Sequence, residues 1–222
     1  GTNNVSVGVD SLRCNTTGTA NTAVGKEALL LNTTGNCNVA IGVEAMDSNT
    51  TGSNNVGIGT DSLQGNTEGS NNISIGDDTM KTNSTGDFNT AVGKAALCSN
   101  TTADSNTAFG YVALLANTTG TQNTAVGANA LDANIGADNN TAVGYNSLTL
   151  STTGANNASV GAFSLAANTE GSHNNAFGTA AMAKNTTGDN NVAIGCGALC
   201  TNTTADNNTA VGFNSLKANT TG

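Results

Sequence analysis

A glycine recurs every 17 residues, at Gly8, Gly25, Gly42, Gly59, Gly76, Gly93, Gly110, Gly127, Gly144, Gly161, Gly178, Gly195 and Gly212, with no insertion or deletion between copies. Spacing this rigid means that every unit covers the same length of path, as stacked coils must when each one contacts only its neighbours. Seventeen residues are too few for two packed helices but enough for two or three short strands joined by tight turns. Counted from four residues before that glycine, the unit reads N-T/V-A-V/I-G-x-x-A/S-L-x-x-N-T-T-G-x-N. The pattern predicts an all-β chain, a parallel β-solenoid or β-roll of 13 units, as a single array over residues 1–222. The segment opens on a turn glycine, Gly1, and closes on its equivalent, Gly222, so we expect a window of a longer fibre without caps.

β-branched residues at the second and fourth positions (Val39 and Ile41, Thr90 and Val92, Val192 and Ile194) supply the alternation of a strand. The expected core is the fourth-position Val/Ile/Phe column together with the ninth-position column of Leu12, Leu29, Leu63 and their counterparts, all turned into the coil. The other strand face, made of Asn, Ala and Gly, would then be free for another backbone to approach, as in three chains packed about an axis. The glycine of N-T-T-G is replaced by Ala103, Ala137 and Ala205, each followed by Asp. The fifth-position glycine never varies, so it must need either a positive φ or the absence of a side chain.

Two asparagine columns run through the units, the first position (Asn4, Asn21, Asn38 and onward) and the twelfth, where Ser151 is the exception. Stacked amides hydrogen-bond from one coil to the next, as in cross-β ladders. The alternative is glycosylation, because N-T-T or N-S-T sequons begin at Asn15, Asn32, Asn49, Asn83, Asn100, Asn117, Asn185, Asn202 and Asn219.

No arrangement of catalytic residues recurs. The single histidine, His173, falls in a variable turn, there is no phosphate-binding glycine motif, and we expect a non-enzyme without cofactor. Six basic residues against fifteen acidic ones argue against nucleic acid, and no apolar run reaches the roughly 18 residues of a membrane span. Cys14, Cys37, Cys98, Cys196 and Cys200 occupy four different positions of the unit, which excludes a regular disulfide ladder but permits a Cys196–Cys200 bridge. Asp10, Glu27, Glu44, Asp61 and Asp78 share the seventh position of five successive units, where stacked carboxylates must be solvated or bridged by cations such as calcium, a weak metal candidate. The Thr columns at the thirteenth and fourteenth positions offer a rival function, an ice-binding surface, although Glu68, Ile135, Gly136 and Glu170 interrupt them.

The segment NTAVG followed by xxAL resembles the repeats of trimeric autotransporter adhesin heads, and the whole unit, as in NTAVGKEALLLNTTG around Gly25, is similar to repeats of phage tail-fibre-type proteins. The resemblance covers all 222 residues but departs in period, because the adhesin repeat is shorter. It implies a left-handed β-roll, a homotrimer, and a structural or adhesive role in an extracellular fibre at a cell surface or on a virion. A receptor or glycan is the implied partner. A self-assembled extracellular filament is a further expectation.

Overall fold

A computed structural model describes residues 1–220. Among them there is no helix, and there are thirteen strands of three residues each: β1 (Val5–Val7), β2 (Thr22–Val24), β3 (Val39–Ile41), β4 (Val56–Ile58), β5 (Ile73–Ile75), β6 (Thr90–Val92), β7 (Thr107–Phe109), β8 (Thr124–Val126), β9 (Thr141–Val143), β10 (Ala158–Val160), β11 (Asn175–Phe177), β12 (Val192–Ile194) and β13 (Thr209–Val211). The chain forms two compact units, Gly1–Ala108 and Phe109–Gly222, with β7 spanning the division. In the first, β1 to β6 pair in sequence order, all parallel and in register, so that Val39 faces Val56 and Val56 faces Ile73. In the second, β8 to β13 pair in the same way. Each is a parallel β-solenoid with a 17-residue coil, as the glycine period predicts.

The turns pair between coils too, while intervening N–H groups such as that of Asn49 donate to the carbonyl three residues back in their own coil. In the first unit Glu44 N–H donates to the Lys26 carbonyl, Met46 N–H to Ser62, Thr50 N–H to Thr67 and Asn54 N–H to Asn36, at 2.9 to 3.0 Å. Directing these N–H groups along the solenoid axis while the chain turns corners requires local changes of backbone handedness. The seventh, ninth and seventeenth positions are accordingly left-handed: Glu44 has φ 56°, Met46 54° and Asn54 60°, and the set recurs coil after coil. A buried Leu or Met in that region is costly for an L-residue, and it persists because the inter-coil bonds on either side fix it. The fifth-position glycines go further, to φ values between 122° and 144°, a region reserved for glycine, and a Cβ at Gly8, Gly25, Gly42, Gly59, Gly110 or Gly127 would collide with the glycine backbone of the next coil. Both reasons for glycine therefore hold at once. The N-T-T-G glycines lie outside the left-handed region, which is why Ala103, Ala137 and Ala205 can replace them.

The strand faces are the reverse of the expected ones. The middle residue of every strand from β2 onward is buried, whereas the flanking Val, Ile, Thr and Phe are half-buried or exposed. Ala23, Ala40, Ala91, Ala125 and Ala142 face inward, and Ile41 and Phe177 face outward. The ninth-position Leu or Met fills the coil, completely buried from Leu29 to Leu199, and contributes roughly 2 kcal/mol per coil. With one large aliphatic in so narrow a cross-section, only a small residue fits opposite it, Ala in most coils and Gly57, Ser74 or Ser159 in others. Where the third position shrinks to Gly57, the preceding coil carries Met46, whose Cγ occupies the place of the missing methyl. Serines enter the core with their hydroxyls satisfied, Ser62 Oγ with Ser74 Oγ at 2.8 Å and Ser147 Oγ with Ser159 Oγ at 2.7 Å as pairs, and Ser164 Oγ donating to the Ala176 carbonyl at 3.2 Å. Because Ala lies inside each coil, it is not available to pack against other chains.

Candidate functional site

Inside the coil both asparagine columns are structural. At the twelfth position Asn66 Nδ2 donates to Asn49 Oδ1 at 2.7 Å and to the Gly69 carbonyl at 2.9 Å, and Asn66 Oδ1 accepts from Asn83 Nδ2 at 2.8 Å. At the first position the amide oxygen accepts the backbone N–H of the next coil, Asn38 N–H to Asn21 Oδ1 and Asn21 N–H to Asn4 Oδ1, while Asn21 and Asn38 donate from Nδ2 to turn carbonyls. These bonds hold the sequon asparagines too. Asn32, Asn49, Asn83, Asn100, Asn117, Asn185 and Asn202 are fully buried. The partly buried Asn15 and Asn219 also donate from Nδ2, the atom a glycan would occupy. The folded coil has no space for a sugar on the buried ones.

Ser151 shows what the ladder requires. Its hydroxyl keeps only a 3.4 Å bond to the Gly154 carbonyl, and the amide oxygen of Asn134, one coil earlier, is buried with no partner. Ser151→Asn restores the missing donor. We expect a gain of about 1 kcal/mol in chemical unfolding, the cost of one unsatisfied buried acceptor. No gain, with a structure showing the new amide in register, would refute it.

The acidic column faces outward and is held by neighbouring side chains. Lys81 Nζ sits 2.8 Å from both Asp61 Oδ2 and Asp78 Oδ1, and these bonds hold its proton far more tightly than usual. Gln64 Nε2 donates to Glu44 Oε2 at 2.9 Å. Asp10 and Glu27 lie beside Arg13 and Lys26 at 3.6 and 3.2 Å. Among the described residues no three His, Cys, Asp or Glu are placed to hold a metal ion. Burial, with Glu44 and Asp61 nearby, raises the pKa of Asp47 despite a bond from Ser48 Oγ. A carboxyl whose folded pKa exceeds its unfolded value destabilises the fold above the folded pKa and not below the unfolded one. Asp47→Asn is therefore expected to be slightly more stable at pH 7, with the difference vanishing as the pH falls below the ordinary aspartate value of 3.8. A pH series of thermal unfolding checks it; an advantage that persists at low pH would contradict it.

Other residues singled out in the sequence are also accounted for. The thirteenth-position Thr hydroxyls donate to the next coil's carbonyl, Thr16 to Thr33, Thr33 to Thr50 and Thr50 to Thr67, each at 2.9 Å. That spends their protons inside the ladder rather than on ordered water. All five cysteines are free thiols, Cys196 and Cys200 included. His173 occupies a left-handed turn at φ 59°. Sequence reasoning missed a sixteenth-position ladder in which Asp87, Asp138 and Asp189 accept the backbone N–H of the preceding coil at 2.6 to 2.7 Å. The signal was the recurrence of Asp, Asn and Ser where the column otherwise varies.

What remains open to a partner is the outward strand face. In the first unit β3 to β5 present Val39, Ile41, Val56, Ile58, Ile73 and Ile75, with Ile41 and Ile73 about two-fifths exposed. In the second unit a shallow cavity of about 310 Å³ opens beside Ile135, Gly136, Ala137, Thr152 and Thr153. It marks where Ile135 and Gly136 break the Thr columns, and no charged residue lines it. No family model matches the chain, and no curated protein matches it at a significant level.

Proposed function

We propose that the chain is a structural and adhesive repeat module of an extracellular fibre, at a cell surface or on a virion, with no catalytic role. The supporting observation is the aliphatic face of β3 to β5, six Val and Ile side chains turned to solvent on a coil whose own core is already complete. Contiguous exposed apolar side chains mark surfaces that other molecules cover. In this reading the solenoid is left-handed and three copies assemble through these faces into a shaft, with the charged outward positions keeping the assembly in solution.

Light scattering at several concentrations tests the assembly. The native particle is expected at three times the 21.7 kDa chain mass, and the variant carrying Ile73→Lys and Ile75→Lys at one chain mass with unchanged far-UV circular dichroism. A native chain that stays monomeric would sink the shaft reading.

A further inference from the structure

Six of the seven aromatic residues, Phe109, Tyr111, Tyr145, Phe163, Phe177 and Phe213, lie in the second unit at the fourth, sixth or seventh position of their coils. All six are exposed, from 42% for Phe177 to 77% for Phe213. The same sixth and seventh positions in the first unit carry Asp10, Lys26, Glu27, Glu44, Asp61 and Asp77, among others, whereas in the second unit they carry no charged residue at all. One pair of columns therefore changes from ionic to neutral and aromatic between units that share one backbone plan. Solvation of the coil does not call for that change, since exposed aromatic rings are the poorest way to keep a surface wet.

We propose that this strip binds a neutral, extended β-linked polysaccharide, and the inference rests on the adhesive reading above. The chemistry that recognises such a chain is an aromatic ring against the apolar C–H face of a sugar, with amides beside it for the hydroxyls and no charge to desolvate. The spacing agrees. Tyr111 and Tyr145 share the sixth position two coils apart, Phe213 holds the same position four coils further on, and on the coil midway between them the ring is Phe177, at the fourth position. Adjacent strands of a sheet are about 4.8 Å apart, which puts Tyr111 and Tyr145 roughly 9.6 Å from one another. This is close to the two-sugar repeat of an extended β-1,4-linked chain, in which alternate rings present the same face. Tyr145 and Phe163 meet edge to face with centroids 5.4 Å apart, which restrains both rings before any ligand arrives. Between the rungs Asn129 Nδ2 donates to Asn146 Oδ1 at 2.9 Å, placing a pair of amides on the strip. The neutrality of the strip selects against the acidic polysaccharides that the first unit, with its carboxylates, would also repel.

Native gel electrophoresis of the whole chain through hydroxyethyl-cellulose tests this, with alginate as the charged control. Retardation by hydroxyethyl-cellulose and none by alginate is expected. Replacing Tyr145→Ala and Phe177→Ala together should weaken the retardation at least tenfold, as should Tyr111→Ala with Phe213→Ala. Phe88→Ala, equally exposed but outside the strip, should leave it unchanged. No retardation of the native chain, or retardation untouched by both double variants, would overturn the proposal. So would double variants that lower the native mass in light scattering, because the strip would then be a contact between copies. The fibre reading fails only if the native chain is monomeric, so the two results remain separable.

Discussion

Gly127→Ala is expected to lower stability by about 4 kcal/mol, while Gly171→Ala, which adds the same methyl in the same unit, costs less than half as much. At Gly127 a Cβ would sit 2.5 Å from the Gly144 carbonyl oxygen, and at Gly171 it would sit 2.5 Å from that of Gly188. The crowding is matched, but the backbone is not. Gly127 has φ +135°, which no L-residue adopts without strain of about 1 to 3 kcal/mol beyond the clash, whereas Gly171 lies outside that region. Ala103, Ala137 and Ala205 already occupy the position equivalent to Gly171, so the neighbouring coil can yield there. Urea unfolding followed by far-UV circular dichroism measures both. Equal losses would show that crowding alone explains the invariant glycine.

Asn66→Asp should be comparably severe, at about 3 to 5 kcal/mol at pH 7. The substitution removes both donated hydrogen bonds and sets a carboxylate against the Asn49 amide oxygen and the Gly69 carbonyl, in a site with no exposure. Acid should partly rescue it. The buried carboxyl is expected to hold its proton above the unfolded value of about 3.9, so the penalty fades as the pH falls through the folded pKa. Asn66→Ser, which imitates Ser151, should cost about 1 to 2 kcal/mol without pH dependence. Because coils contact only their neighbours, the damage should appear in hydrogen exchange as a local opening around residues 49–83 rather than uniform loss. A Asn66→Asp variant as stable as the native chain at pH 7 would show that the amide ladder carries little of the stability.

Much of this architecture could be read directly. The glycine period gave the coil, the N-T-A-V-G segment placed each strand, and Leu29 and Leu63 were recognisable as core by their constancy. The orientation of the strand was not, because period-two alternation admits two answers and hydrophobicity favoured the wrong one. Val24 and Ile41 look more like core than Ala23 and Ala40, yet one Leu or Met per coil leaves space only for a residue as small as Ala, Ser or Gly. Variation among the copies was the better guide. The first, third and fifth positions hold Asn, small residues and Gly throughout, while the second ranges over Val, Thr, Ile, Ala and Asn and the fourth over Val, Ile and Phe. Columns that vary face solvent. The left-handed Leu and Met residues had no sequence signal, since their φ is imposed by bonds to adjacent coils rather than by their own preference. The acidic column was visible, but its partner Lys81 sits at a different position of the coil, and its bond to Asp61 in the preceding coil exists only once coils are stacked.

The amide ladder also has a direction. In the first unit Asn32, Asn49, Asn66 and Asn83 all donate from Nδ2 toward the coil before them and accept from the coil after. Two such stacks apposed by their like ends would place donor against donor, or acceptor against acceptor, along the interior column. A coil can be added in register only with the same polarity, so the fold acts as a one-way template: it can be copied head to tail and cannot be mirrored.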